Sequence, residues 1–156
     1  MTDLKILLCP IDFSEPSDYA LGYALSLAKK LDAKLHLLHV FRDPVYAVPL
    51  GYEIGAQTAG IIAGLRTQQQ DRLSELAKSY QDSGVEVTAT VADGMPYAAI
   101  VQGAKNLGAS MIVMGTHGHT GVSRWLLGSV TERVVRMAPC PVLTVHAPGD
   151  EDQNGS

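Results

Sequence analysis

Nothing in the 156-residue chain approaches the roughly 18 uninterrupted apolar residues of a membrane-spanning helix. The opening MTDLKILLCP has no basic segment followed by a long apolar stretch, so no secretory leader is read there, and a cytoplasmic protein is expected. Cysteine is scarce. Cys9 and Cys140 are the only two and no CxxC occurs, which excludes a disulfide framework and a zinc ribbon; both are expected as small buried apolar residues. Clustered positive charge is missing too, with nothing larger than Lys29–Lys30. The formal charge is −4, but Asp150, Glu151 and Asp152 sit in the terminal GDEDQNGS and the body is nearly neutral. Nucleic acid, whose phosphates call for a basic stripe, is therefore not an expected partner.

Two phosphate-binding signatures are absent as well. A Walker A loop needs GxxxxGK[ST], and no lysine occurs in the glycine-rich stretch MGTHGHTGVSRWLLGSVTERVV, Met114 to Val135. A dinucleotide fingerprint needs GxGxxG after the first strand, where CPIDFSEPS has no glycine. P-loop hydrolases and nicotinamide enzymes are disfavoured together.

What is present is an ordinary globular composition, 46% apolar and 18% charged, in a length that suits one domain. The domain is placed at residues 1–148, with 149–156 as a disordered acidic tail. KILLCPID reads as a strand, and FSEPSDYALGYALSLAKKL as a helix capped by Ser14, with Pro16 in its first turn and Ala20, Ala24, Leu27, Ala28 and Leu31 on one face. AKLHLLHVF is a second strand. A second helix is expected within Ile61 to Gln81, with Leu65, Leu73, Leu76, Ala77 and Tyr80 close to one face. In VEVTATVADG apolar and polar residues alternate, the pattern of an edge strand with one face in water. GMPYAAIVQGAKNLGA gives a third helix with Pro96 at its start, SMIVMG a fourth strand, and Val142 to His146 a fifth behind two prolines that end the preceding helix.

Five strands alternating with four helices imply right-handed crossovers and a doubly wound α/β domain, Rossmann-like, with a largely parallel sheet. Ligands then bind beyond the carboxyl ends of the strands where strand order reverses, which directs attention to Asp12, the region of Val40, and the glycine-rich stretch. Residues 42–60 form an unusually long connection, either a lid or a mobile excursion, in which Tyr46 or Tyr52 could shield the core.

Gly115, Gly118, Gly121 and Gly128 permit unusual backbone geometry and close approach, so that amides converge on an anion. Ser129 and Glu132 stand at capping-box positions, opening a helix to about Met137 whose N–H groups and positive dipole end face the loop. No acid occurs from Met114 through Thr131, and Arg124 adds a positive charge. The competing reading is that the glycines serve turns and Ser129 only caps its helix. His117 and His119 lack a third ligand nearby, which disfavours a metal site. Either their backbone N–H groups donate to phosphate with the rings alongside, or they are solvated loop residues. His36, His39 and His146 read as structural strand residues, and Trp125 as a packing anchor by default, with an oligomer contact as the alternative.

Gly115, Gly118, Gly128 and Ser129 match G-x2-G-x9-G-[ST] without departure in spacing, and the chain thereby resembles the ATP-binding branch of the universal stress protein family. ILLCPIDFS resembles that family's first strand and APCPVLTV its closing strand. The resemblance implies strand order 3-2-1-4-5 and ATP as ligand, with Mg²⁺ brought by the phosphates. It implies that Asp12 and the backbone of Val40 contact adenine or ribose and that Pro10 and Ile11 shape the adenine wall. Gly115, Gly118, Gly128 and Ser129, with the neighbouring amides of Met114, His117, His119, Val130 and Thr131, hold the phosphates. It also implies a homodimer through the last strand, with higher assemblies open. No residue is placed to activate water, so a regulatory module controlling a partner such as a transporter or signalling protein is expected rather than an enzyme. The alternative is a slow ATPase or phosphotransferase with Asp12 as base or Mg²⁺ contact.

Overall fold

The computed structural model describes residues 4–118 and 126–148. Five strands, β1 (Ile6–Pro10), β2 (Lys34–Phe41), β3 (Val87–Asp93), β4 (Met111–Gly115) and β5 (Val142–Val145), form one sheet in the order β3-β2-β1-β4-β5, every pairing parallel. Four helices connect them: α1 (Glu15–Leu31), α2 (Ala56–Ser79), α3 (Pro96–Leu107) and α4 (Ser129–Met137). Right-handed crossovers put α1 and α2 on one face and α3 and α4 on the other. The two buried clusters follow this division: Leu7, Cys9, Leu35, Leu37 and Val113 lie under α1 and α2, and Leu8, Leu38, Ile112 and Met114 under α3 and α4. β1 and β4 are adjacent, so the sheet reverses its winding between them, and the crevice lies above their carboxyl ends.

α1 forms where Ser14 Oγ accepts the Ser17 N–H at 3.3 Å, with Pro16 in the first turn and Glu15 and Asp18 near the positive dipole end. Its inner face is small, Ala20, Ala24 and Ala28 with Leu21, which lets it lie close against the sheet. Leu31, expected on that face, is 38% exposed at the end of the helix. Asp32 closes α1 in a left-handed conformation, its N–H donating to Ala28 O.

Other expectations need correction. α2 begins at Ala56 rather than within Ile61 to Gln81, because AQTAG carries no apolar period and that first turn is exposed. Leu65, placed on the inner face by its spacing, is 42% exposed, and Leu73 is the one buried residue of this 24-residue helix. Tyr46 and Tyr52 are 79% and 73% exposed, so neither shields the core; Pro44–Ala47 forms a short 3-10 turn. β5 ends at Val145, which leaves His146 exposed beyond the strand. Cys9 is buried, its thiol pushed up to about 12 by desolvation, whereas Cys140 is only half-buried.

β3 is the edge strand its alternation announced. Its outward hydroxyls Thr88 and Thr90 hold the two ring nitrogens of buried His36 at 2.7 and 2.8 Å, and burial lowers the His36 pKa, favouring the neutral ring. Gly121, Arg124, Trp125 and the 149–156 tail lie outside the described residues.

Candidate functional site

The carboxyl ends of β1, β2 and β4, together with α2 and the start of α4, enclose a cleft of about 570 Å³, within the range of small-molecule sites. Pro10, Ile11 and Asp12 line it from β1 and Val40 from β2. Met114, Gly115, His117 and Gly118 line it from β4 and the following loop, and Gly128, Ser129, Val130 and Thr131 from α4. Every described residue assigned to the ligand from the sequence thus lines this cleft; His119, Gly121 and Arg124 lie outside the described residues.

The β2 side of this cleft offers a main-chain edge. Lys34 N–H donates to Lys5 O and Ile11 N–H to Leu38 O, each at 2.8 Å, so alternate residues of β2 point their polar groups toward β1. Leu35 N–H donates instead to Glu86 O, beside β3. By this alternation Val40 turns its N–H and C=O toward the β1 side, where the strand has already ended at Pro10. His39 Nδ1 donates to Ile11 O at 2.7 Å, and the Asp12 N–H turns away to Ser17 Oγ at 3.2 Å.

The β4 side offers donors of another kind. The first bond within α4 runs from Glu132 N–H to Gly128 O at 2.9 Å, which leaves the N–H groups of Ser129, Val130 and Thr131 without intrahelical acceptors. The expected capping box is not formed. Gly128, drawn down by its N–H bond to Thr116 O at 2.8 Å, is the N-cap without a side-chain bond; Ser129 is the first helical residue, and Glu132 pairs with Arg136 at 2.9 Å. The Ser129 side chain therefore stands at the open end of the helix dipole, while Thr131 Oγ1 donates to Gly115 O at 2.9 Å and ties helix to strand.

Three glycines act here through space, since none of them has positive φ. A Cβ on Gly115 would lie 3.2 Å from Pro16 Cβ and from His117 O. One on Gly128 would lie 3.1 Å from His117 Cα, and one on Gly118 would run into Asp12 Oδ2. Asp12 is the single carboxylate among the described lining residues; its Oδ1 accepts from the Ser14 N–H at 3.0 Å and from the Ser14 hydroxyl. His117 Nδ1 lies 3.2 Å from Thr116 Oγ1. Among the described residues no group of three or more His, Cys, Asp or Glu is placed to hold a metal ion.

A fourth wall went unread in the sequence. Phe13, His39, Gln69 and Arg72 also line the cleft. Phe13 has φ of +61°, rare for a bulky side chain, which directs its ring to within 4.9 Å of His39 and 4.1 Å beneath the Arg72 guanidinium. Proximity to Asp12 was a signal for Phe13. Gln69 and Arg72 carried none, because polar residues on a half-exposed helix look the same whether they meet water or a ligand.

Residues 4–146 match the universal stress protein family, nearly the whole chain. The chain belongs to the universal stress protein family. Among curated relatives, universal stress protein MJ0531 of Methanocaldococcus jannaschii is 35% identical over 151 residues, covering 94% of this chain and 85% of the relative. Among solved structures, MJ0577 from the same organism is 29% identical with a TM-score of 0.77, covering 95% of this chain and 99% of the other. The fold is shared further afield by an Arabidopsis thaliana universal stress protein crystallised with AMP bound, 18% identical with a TM-score of 0.66 and 97% coverage of both chains. No helix among the described residues of this universal stress protein is long and apolar enough to cross a membrane.

Proposed function

We propose that this universal stress protein is an ATP-binding regulatory module that does not efficiently hydrolyse its nucleotide. The observation that carries the reading is one cleft with complementary ends. At one end Val40 presents a peptide donor and acceptor that match N1 and the exocyclic amine of adenine. At the other, the open N-terminus of α4 and the glycine-permitted backbone approach suit phosphates, with Asp12 between them for the ribose. The residues fit the nucleotide, and its phosphates would carry Mg²⁺ themselves. That a protein of the same fold was crystallised with AMP supports the choice of an adenine nucleotide.

The regulatory half of the proposal is that bound ATP alters the dimer surface or a partner's affinity, the partner being a protein such as a transporter or signalling component. Asp12 supports the binding reading, because its Oδ1 accepts from the Ser14 N–H and hydroxyl at the start of α1, which holds the carboxylate in place at the cleft. Denaturing freshly purified protein and identifying released nucleotide by mass spectrometry tests the site, followed by Mg-ATP titration of the stripped chain. Stoichiometric ATP or ADP is expected; neither carried nucleotide nor binding on titration would defeat the reading. Multiple turnovers by pure protein would defeat its non-catalytic half.

β5 is proposed as the homodimer edge. Ile112 N–H donates to Pro141 O and Thr116 N–H to Val145 O, so residue 144 points its main-chain groups away from β4, along the open edge of the sheet. Thr144→Pro removes a donor from that edge and spares the β4 ladder. Light scattering after size exclusion is expected to show monomer for this variant and dimer for the parent; an unchanged dimer places the interface elsewhere.

A further inference from the structure

α2 is pinned at two levels. Arg66 makes a bidentate pair with Asp93 at the end of β3, at 2.9 and 3.0 Å, and Leu73 is buried in the core beneath. Between these anchors Gln69 lines the cleft, as do Phe13 and His39. Its Oε1 is shut from solvent and has no hydrogen-bond partner, although a buried acceptor is almost always satisfied. The carboxamide carries a donor and an acceptor side by side and turns about its last torsion, so a ligand offering the reverse pair satisfies it.

We propose that Gln69 is a specificity-determining residue that reads the nucleobase, its carboxamide pairing with the N6 and N7 edge of adenine. The proposal rests on the ATP-binding reading above. Glutamine pairs bidentately with adenine in this way, accepting from the N6 amine and donating to N7. The amine has two hydrogens, so the Val40 carbonyl takes one and Gln69 the other without competition. A 6-oxo purine presents an acceptor where both need a donor, and the site rejects it. The Phe13 ring, held under Arg72 and beside His39, adds a flat apolar surface to the same cleft.

The test is calorimetric titration of the full chain and of Gln69→Leu with ATP, 7-deaza-ATP and inosine triphosphate. 7-Deaza-ATP lacks only the N7 acceptor, which Val40 does not use. The parent is expected to bind ATP about two- to twelvefold more tightly than 7-deaza-ATP, the range for one neutral hydrogen bond. Gln69→Leu is expected to bind the two alike and to discriminate less against inosine triphosphate. Its melting temperature is expected to equal or exceed the parent's, because the change removes an orphan acceptor and leucine matches glutamine in helix propensity. Should that variant fail to fold, Gln69→Glu, which has no donor for N7, is read by the same ratio. An ATP to 7-deaza-ATP ratio unchanged by substitution overturns the role of Gln69 and leaves the ATP site standing. A parent that binds neither overturns the ATP site, and Gln69's role with it.

Discussion

Gly118→Val is expected to weaken ATP binding by about a hundredfold or more while the protein stays folded. A Cβ at this position runs into Asp12 Oδ2, so either the loop lifts away from β1 or the carboxylate leaves Ser14. Both routes damage the site: the first withdraws loop amides from the phosphates, and the second removes the group proposed for the ribose. Two lost hydrogen bonds to charged groups, at about 1.5–3 kcal/mol each, suffice for that loss. Thermal melting within a few degrees of the parent would place the damage in the site, since Gly118 belongs to no helix or strand. Titration showing affinity within threefold of the parent would mean the phosphates lie elsewhere.

Leu73→Ala is expected to cost about 2–5 kcal/mol and lower the melting temperature by roughly 5–15 °C. The side chain is 1% exposed and is the one residue α2 buries, in a cluster with Leu35, Leu37 and Val85. The Arg66–Asp93 pair cannot compensate: the guanidinium holds the Asp93 carboxyl below its usual pKa, but both groups are in water, where such pairs contribute little. Because α2 carries Gln69 and Arg72, loosening it also frees the wall over Phe13, and weaker ATP binding is expected with the lost stability. A melting temperature within 2–3 °C of the parent would show that α2 is held by something other than this contact.

These effects differ in how far the sequence announced them. Gly118 belongs to a spaced motif, and its role in close approach was readable; that the approach is to Asp12, about a hundred residues earlier, was not. Leu73 was read onto the inner face of α2, but Leu65 was placed there with it and proved exposed, since periodicity marks a stripe without saying where the sheet beneath it stops. The capping box failed for a related reason. Ser129 and Glu132 have the right types and spacing, yet a tertiary bond from Gly128 to Thr116 sets the helix start one residue earlier than a Ser129 cap requires, which leaves the Ser129 side chain at the open helix end.

By itself the sequence determined the alternation of strands and helices, the parallel doubly wound sheet, the edge position of β3 and the family, because each is written in local periodicity, in turn residues or in a contiguous motif. It also named the residues at the strand ends that meet in the cleft. Only the tertiary structure decided which way the Val40 peptide faces, what the motif glycines make room for, and that α2 closes the cleft with Gln69 and Arg72. Those outcomes depend on register between strands and on the height at which a helix is pinned to its sheet, quantities set by contacts between residues far apart in the chain.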